Sequence, residues 1–161
     1  MKAYAGVGSR NTPQNILDIM TKTAIFLEKR GYTLRSGGAK GADTAFENGV
    51  KKLKEIYYAN DATEQSLIIA ERYHSHWHRL GSYAKKLHGR NSFQILGKTL
   101  NSPVEFVICW TPDGCERHID RKITTGGTGT AISIASSSKI KVYNLYNNES
   151  IDKLRALLKT L

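Results

Sequence analysis

Three stretches of this sequence join a predicted strand to a loop of glycines and hydroxyl side chains, and this recurrence most constrains the fold. The predicted strand at 2–7 ends in Gly6-Val7-Gly8-Ser9-Arg10, and the predicted strand at 32–35 is followed by Ser-Gly-Gly-Ala-Lys-Gly-Ala-Asp, residues 36–43. The predicted strand at 104–110 leads, after a polar loop, into Thr-Thr-Gly-Gly-Thr-Gly-Thr-Ala, residues 124–131. In an open parallel sheet, ligands bind outside the carboxyl ends of the strands. We therefore expect the three loops to meet at one edge of such a sheet.

The segments between these loops predict alternating helices and strands. Apolar residues at helical spacing predict a first helix, with Thr12 as its N-cap and Pro13 at its first position, that ends at Gly31. This helix joins the first two strands, so the crossover should be right-handed and the strands parallel. A second helix is predicted to start near Gly41. The sequence further predicts short strands at 55–59 and 140–145, a helix at 132–138 and a final amphipathic helix from 147.

The segment at about 60–102 differs from the rest of the chain. It is rich in Tyr, His, Arg and Lys, and its patchy helical periodicity predicts two or three short helices at about 64–73, 78–88 and 91–100. Such a block is too long for a simple connection. We expect it either to pack over the ligand edge and shape selectivity or to be ordinary helical cover.

Composition restricts the classes of protein that the chain can form. Its 161 residues predict one domain, and 24 Lys plus Arg against 14 acids give a net charge of +10. This charge favours an anionic partner such as a nucleotide or nucleic acid, although a basic surface can also serve solubility. No apolar run approaches ~20 residues, so no membrane span is expected. The start has no apolar signal region and the two cysteines make no disulfide framework, so we expect a cytoplasmic protein.

The third glycine-rich stretch has the chemistry of a phosphate-binding loop. Its glycines let a ligand approach the backbone, and the unpaired N–H groups of the helix that follows point towards that ligand. The hydroxyl groups of Thr125, Thr128 and Thr130 add further donors. The alternative is a glycine-rich loop without a ligand.

Together these stretches resemble the SLOG superfamily, which joins the Smf/DprA DNA-processing proteins to the LOG nucleotide phosphoribohydrolases. The resemblance rests on the two loops at 6–10 and 36–43, on Arg90-Asn91 and on residues 126–131. It covers nearly the whole chain, least securely the segment at about 60–102. It implies an α/β, Rossmann-like domain over residues 1–161, with a mostly parallel sheet, helices on both faces, and a nucleotide or nucleic-acid ligand at the glycine-rich edge.

Within this resemblance we assign roles to the charged and aromatic side chains. Arg10 is expected to fork onto a phosphate, and Lys40 to add a point charge. Asp43 either binds a ribose hydroxyl or caps its helix. Trp110 either stacks on a base or belongs to the core. The predicted ligand-binding residues are Gly8, Ser9, Arg10, Ser36, Gly37, Gly38, Lys40, Gly41, Asp43, Arg90, Asn91, Trp110, Thr125, Gly126, Gly127, Thr128, Gly129 and Thr130.

The sequence assigns no catalytic residue, cofactor or metal. LOG-type enzymes follow the third loop with glutamates, whereas this chain has Ala131-Ile132-Ser133 there and no Asp or Glu from 121 to 148. Hydrolysis of a glycosidic bond needs such a carboxylate, and Asp113 or Asp120 could reach in from the loop before it. The first loop lacks the third glycine of the dinucleotide fingerprint. Two weaker groups, His74 with His78 and Cys109 with Cys115 and His118, are not expected to bind metal.

Three functions remain, in order of preference. The first is binding of a small phosphorylated nucleotide derivative, such as an ADP-ribose-type or cyclic nucleotide signal, by a sensor or a sequestering protein. The second is binding of single-stranded DNA by a recombination mediator of the DprA kind. The third is hydrolysis of a nucleoside phosphate. A homodimer or a higher oligomer is also expected, because related proteins often pair through helices.

Overall fold

A five-stranded, all-parallel sheet forms the centre of the protein in the computed structural model, which describes all of residues 1–161. The strands are β1 (Lys2–Gly6), β2 (Tyr32–Ser36), β3 (Lys54–Ile56), β4 (Phe106–Cys109) and β5 (Lys141–Asn144). The helices are α1 (Gln14–Lys29), α2 (Ala42–Asn48), α3 (Glu64–Arg72), α4 (Ser82–Leu96), α5 (Thr128–Ser137) and α6 (Asn148–Thr160). The predicted α/β, Rossmann-like fold is confirmed. No helix combines the length and hydropathy that crossing a membrane requires.

Alternating residues along the strands build one core on each face of the sheet. In β4, Phe106 and Ile108 pack with helices α1, α2 and α6, whereas Val107 and Cys109 pack with α4 and α5. Successive side chains of a strand point to opposite faces, so a strand that is apolar throughout needs cover on both sides. The helices supply this cover, and α3 packs on the outside of α4.

The strand order reverses between β1 and β4, the central pair of the order β3-β2-β1-β4-β5. The two chains stay paired beyond the strands, because Val7 N–H donates to Ile108 O and Ser9 N–H to Trp110 O, both at 3.1 Å. Gly8 permits this approach, since a Cβ there would lie 3.0 Å from Trp110 O. The crevice where ligands bind in open α/β sheets therefore lies above these two strand ends.

Several predicted boundaries are wrong. The third strand is β3 at Lys54–Ile56 and not 55–59, and α5 begins at Thr128, four residues before the predicted start at 132. Thr12 does not cap α1: its Oγ1 donates to Ser9 O at 2.7 Å, and Pro13 precedes the helix. A proline in the extended conformation ends the turn here.

The segment at 60–102 contains two α-helices, of which α3 matches the helix predicted at 64–73 and α4 differs from the prediction. The helices predicted at 78–88 and 91–100 are one helix, α4, apart from a short 3₁₀ turn at Trp77–Arg79. Gly89 does not break α4, because it lies where α4 crosses α3 and a Cβ there would come within 2.8 Å of the Leu67 side chain. The glycine thus serves close helix packing, and α4 passes unbroken along the crevice.

Candidate functional site

A cavity of about 270 Å³ lies at this edge of the sheet, between α4 and the loops that follow β1, β2 and β4. We call these loops loop 1 (7–13), loop 2 (37–41) and loop 3 (110–127). Loop 1 contributes Gly8, Ser9 and Arg10, loop 2 contributes Ala39, and loop 3 ends at the cavity with Gly127. The predicted convergence of the three loops is therefore present in the structure.

Arg10 is the exposed cation at the mouth of the cavity. Its guanidinium makes no hydrogen bond and no ion pair within the protein, although it lies in the wall of the cavity. The loop behind it is fixed, since Asn11 N–H donates to Ser9 Oγ at 3.0 Å and a Cβ on Gly41 would collide with the Arg10 backbone at 2.7 Å. A fixed backbone with a free guanidinium suits recognition of an anion.

Asp43 is a buried carboxyl group in the cavity wall, at the first turn of α2 and only 4% exposed. Burial raises its pKa to about 6, although the Arg90 charge and backbone N–H groups of Ala39, Gly37 and Gly8 lower it. The N–H of Ala39 donates to Oδ2 at 3.3 Å. This bond fixes the backbone of loop 2 at the start of α2, and the carboxyl group of Asp43 also borders the cavity.

Arg90 and Asn91 are consecutive residues of α4 that hold two different loops. Arg90 Nη1 donates to Gly37 O of loop 2 at 2.5 Å and to Tyr57 O at 3.0 Å. Asn91 Nδ2 donates to Gly127 O of loop 3 at 3.1 Å. Arg90 bonds only neutral acceptors and makes no contact ion pair; burial lowers its pKa, while the charge of nearby Asp43 raises it.

The start of α5 presents free donors to the cavity. The N–H groups of Gly127 and Thr128 donate to no backbone or side-chain acceptor, and no acidic residue occupies the first turn of the helix. Both residues lie in the cavity wall. Free N–H groups at a helix N-terminus attract anions, and here they face the same space as Arg10 and Arg90.

Other predicted site residues support the loops without reaching the cavity. Ser36 is fully buried and its Oγ donates to Gly6 O at 2.6 Å. Thr125 is also buried, and its Oγ1 donates to Asp113 Oδ2 at 2.6 Å. The structure also places outside the cavity wall Gly37, Gly38, Lys40, Gly41, Gly126, Gly129 and Thr130. Lys40 lies instead beside α1 and α2.

Trp110 belongs to the core and not to the cavity. Its side chain is 8% exposed and packs in the core that α1, α2 and α6 cover, with its ring 6.2 Å from that of Tyr146. The alternative that the sequence left open, a core aromatic, describes its position.

The sequence reading missed several residues of α4 that line the cavity. These are Ala84, Leu87, His88 and Gln94. They share one helix face with Asn91, at spacings of three and four residues. If the sequence had predicted one continuous helix through Gly89, these residues would have been expected on one face. The predicted helices at 78–88 and 91–100 place them on two separate helices.

Two polar atoms at this wall remain unsatisfied. Arg90 Nε and Gln94 Oε1 are buried and have no hydrogen-bond partner. Such groups are rare in proteins and mark places where a water or a ligand completes the bonding. They add one donor and one acceptor to the chemistry of the cavity wall.

No group of three or more His, Cys, Asp or Glu side chains is placed to hold a metal ion. His74 packs against Trp77 and His88 through aromatic contacts, with ring centroids 6.2 and 4.7 Å away. Cys109 and Cys115 are buried and unpaired.

Comparison of the chain with protein-family models, with curated proteins and with solved structures finds no match. Membership of the SLOG superfamily therefore stays a prediction from the loop motifs. The class that the structure itself defines is a Rossmann-like α/β domain with a polar cavity at its topological switch point.

Proposed function

We propose that the protein binds a small phosphorylated nucleotide derivative, of the ADP-ribose or cyclic nucleotide type, as a sensor or a sequestering protein. The observation that carries the proposal is the meeting, in one cavity, of two arginines without a contact ion pair and the free amides of a helix N-terminus. Arg10, Arg90 and the free N–H groups at the start of α5 all border the same 270 Å³. A phosphate group would satisfy all three.

The size of the cavity favours a compact ligand. Ligand sites measure ~300–1,000 Å³, and this cavity of about 270 Å³ lies just below that range. A single-stranded nucleic acid needs a longer groove with aromatic side chains on which successive bases stack. Trp110, the aromatic side chain considered for base stacking, is buried in the core.

The contacts that the cavity offers can be compared with the free energy that micromolar binding requires. A charge-assisted hydrogen bond contributes about 1.5–3 kcal/mol net, and a helix N-terminus about 0.3–1 kcal/mol. Micromolar binding requires about 8 kcal/mol. Two arginines and the α5 amides approach this value for a single phosphate, and contacts to the sugar and base add to it.

Two experiments test the proposal: identification of a ligand that co-purifies with the protein, and titration of the protein with nucleotides. Mass spectrometry of the purified, denatured protein should find a phosphorylated nucleotide derivative that co-purifies. Calorimetric titration with AMP, ADP-ribose and cyclic AMP should show binding to wild type and a large loss in Arg10→Ala. The matched control is Arg155→Ala, which removes an exposed arginine of α6 far along the chain. Equal affinities in wild type and Arg10→Ala would refute the site.

Salt dependence separates this function from DNA binding. Affinity for an oligonucleotide that contacts several phosphates should fall with log[salt] at a slope of about −0.7 per phosphate. A compact ligand with one or two phosphates should show a much smaller slope. Tight oligonucleotide binding with a steep slope, and no binding of mononucleotides, would favour the DprA-like alternative.

One observation favours hydrolysis as a second candidate. Asp43 places a carboxyl group with a pKa raised to about 6 in the cavity wall, close to the value that suits proton transfer at neutral pH. In such a reaction water adds to C1′ of the ribose, the N-glycosidic bond breaks, and the base leaves with a proton. Release of free base from AMP by wild type, and its loss in Asp43→Asn, would support it; no release by wild type would exclude it for that substrate.

A further inference from the structure

A second depression adjoins the cavity on the far side of His88 and Gly127, which border both spaces. We call it the outer groove; its volume is about 870 Å³. Its walls include the cationic residues Arg72, Arg121 and Lys122, and they include no carboxylate. The outer groove is therefore a positively charged space that opens beside the proposed phosphate site.

Arg121 is the central cation of the outer groove, and only neutral groups hold it. Its guanidinium donates to Tyr73 O at 2.6 Å, to Thr130 Oγ1 at 3.1 Å and to Ser133 Oγ at 3.3 Å. No carboxylate lies within ion-pair distance. Burial lowers the pKa of Arg121, because a partly desolvated cation without a counter-ion is costly.

The position of Arg121 beside the N-terminus of α5 increases the positive charge at this place. The guanidinium lies against Gly129 in the first turn of α5, where a Cβ would collide with Arg121 Nε. A helix N-terminus carries partial positive charge, so it repels a cation at this place. Two positive features thus converge on one point, and an anion in the groove would stabilise both.

His88 separates the two spaces without adding charge. Its Nδ1 is 2.7 Å from Thr130 Oγ1, the same hydroxyl that accepts from Arg121. Burial lowers its pKa to about 4, with smaller contributions from the His74, Arg121 and Arg90 charges, so the ring is neutral near pH 7. An anion in the outer groove would therefore meet Arg121 directly, with Arg72 and Lys122 exposed at the rim.

We propose that the outer groove is a second anionic subsite, centred on Arg121, and that it receives a second phosphate or equivalent anionic group of the ligand whose first phosphate lies in the cavity. The ligand class is then a diphosphate-bridged or otherwise doubly phosphorylated nucleotide, and not a nucleoside monophosphate. This inference rests on the proposed function for the half of the ligand in the cavity. The subsite itself rests on the uncompensated charge of Arg121.

The experiment compares two probes and several variants by calorimetry. AMP carries one phosphate and ADP-ribose carries two, so wild type should bind ADP-ribose at least about tenfold more tightly. Arg121→Gln should weaken ADP-ribose binding about tenfold to a hundredfold, the loss expected for charge-assisted hydrogen bonds, and leave AMP within about twofold. Lys122→Gln, an exposed change at the rim, should weaken ADP-ribose binding less. The control Arg117→Gln removes an exposed charge of the same loop, paired with Asp120, and should change neither affinity.

Other results would overturn the subsite. Equal affinity of wild type for AMP and ADP-ribose would show that a second phosphate gains nothing from the outer groove. Equal losses for both probes in Arg121→Gln would show that Arg121 supports the cavity without contacting a second phosphate. Thermal unfolding of each variant checks folding, and Lys122→Gln keeps the test valid if Arg121→Gln is unstable.

A third probe separates failure of the subsite from failure of the proposed function. If neither nucleotide binds wild type, the proposed function fails. Pyrophosphate is then titrated while the imidazole signals of His88 and His118 are followed by NMR. Saturable shifts in wild type that disappear in Arg121→Gln would support an anion site at Arg121 alone. No saturable shift up to ~10 mM pyrophosphate, which corresponds to less than about 3 kcal/mol of binding, would overturn it.

Discussion

The buried carboxyl group of Asp43 should make the stability of the ligand-free protein depend on pH in an unusual direction. In the folded protein burial raises the pKa of Asp43 from 3.8 to about 6. Below pH 3.8 the group is protonated in both folded and unfolded chains and has no effect. As the pH rises from about 4 to 6, the unfolded chain releases the proton first, so the free energy of unfolding falls.

The magnitude follows from the size of the shift. A difference of about 2 pKa units corresponds to about 3 kcal/mol, at about 1.4 kcal/mol per unit. The group is 4% exposed, so solvent screening reduces this value little. Asp43→Asn removes the titration and keeps the shape of the side chain. The free energy of unfolding of wild type minus that of Asp43→Asn should therefore fall by about 2 kcal/mol between pH 4 and pH 7, because the carboxyl group of the unfolded chain is already more than half ionised at pH 4.

Urea unfolding of both proteins at constant ionic strength, at several pH values from 4 to 7, measures this difference. Other titrating groups cancel in the subtraction. Glu28 provides a control of opposite sign, because backbone N–H groups of Leu53, Lys52 and Lys51 lower its pKa and its contribution to stability is lost as the pH falls. A difference for Asp43→Asn that stays flat, or that rises with pH, would refute the reasoning from burial.

Three further predictions concern glycines and ion pairs. A Cβ at Gly127 would meet open space, so Gly127→Ala and Gly127→Asp should both fold with nearly unchanged midpoint temperatures of thermal unfolding. Calorimetry with ADP-ribose should show that only Gly127→Asp abolishes binding. A Cβ at Gly37 would collide with the Arg90 guanidinium, so urea unfolding of Gly37→Ala should show a loss of about 1–3 kcal/mol; unchanged stability would mean that Arg90 moves freely. Glu55→Gln leaves the 3%-exposed Arg35 without its carboxylate at 2.9 Å and should cost about 3 kcal/mol, whereas Glu47→Gln, in a more exposed pair, should cost less than about 1 kcal/mol.

The architecture could be predicted because local signals and the global fold agree. Each of β1, β2 and β4 is followed by a loop with glycine and hydroxyl residues, and parallel strands bring their carboxyl ends to one edge. This reasoning predicts that Arg10, Asp43, Gly127 and Thr128 lie together, and all four line the cavity. It needed only the direction of the strands, which the crossover helix α1 determines.

The hydroxyl groups of Ser36 and Thr125 show that the sequence does not reveal which acceptor a hydroxyl group bonds. Ser36 and Thr125 were predicted to face a ligand, but each bonds a group from a distant part of the chain or from the preceding turn, namely Gly6 O and Asp113. Which acceptor a hydroxyl meets depends on tertiary distances of a few ångströms. Spacing along the chain carries no information about them.

The continuity of α4 also depends on tertiary contacts that the sequence does not show. The periodicity around Gly89 is interrupted, and glycine lowers helix propensity by about 1 kcal/mol relative to alanine. Packing against Leu67 of α3 outweighs this cost because the glycine lets the helices approach. The helix is therefore continuous, and its cavity face becomes visible only in three dimensions.

Arg90 and Asn91 give the site a property that neither loop has alone. As neighbours on α4 they hold Gly37 O and Gly127 O, which are ninety positions apart in the sequence. Local unfolding of this one helical turn would therefore release loop 2 and loop 3 at the same time. The positions of both loops depend on a single turn of α4.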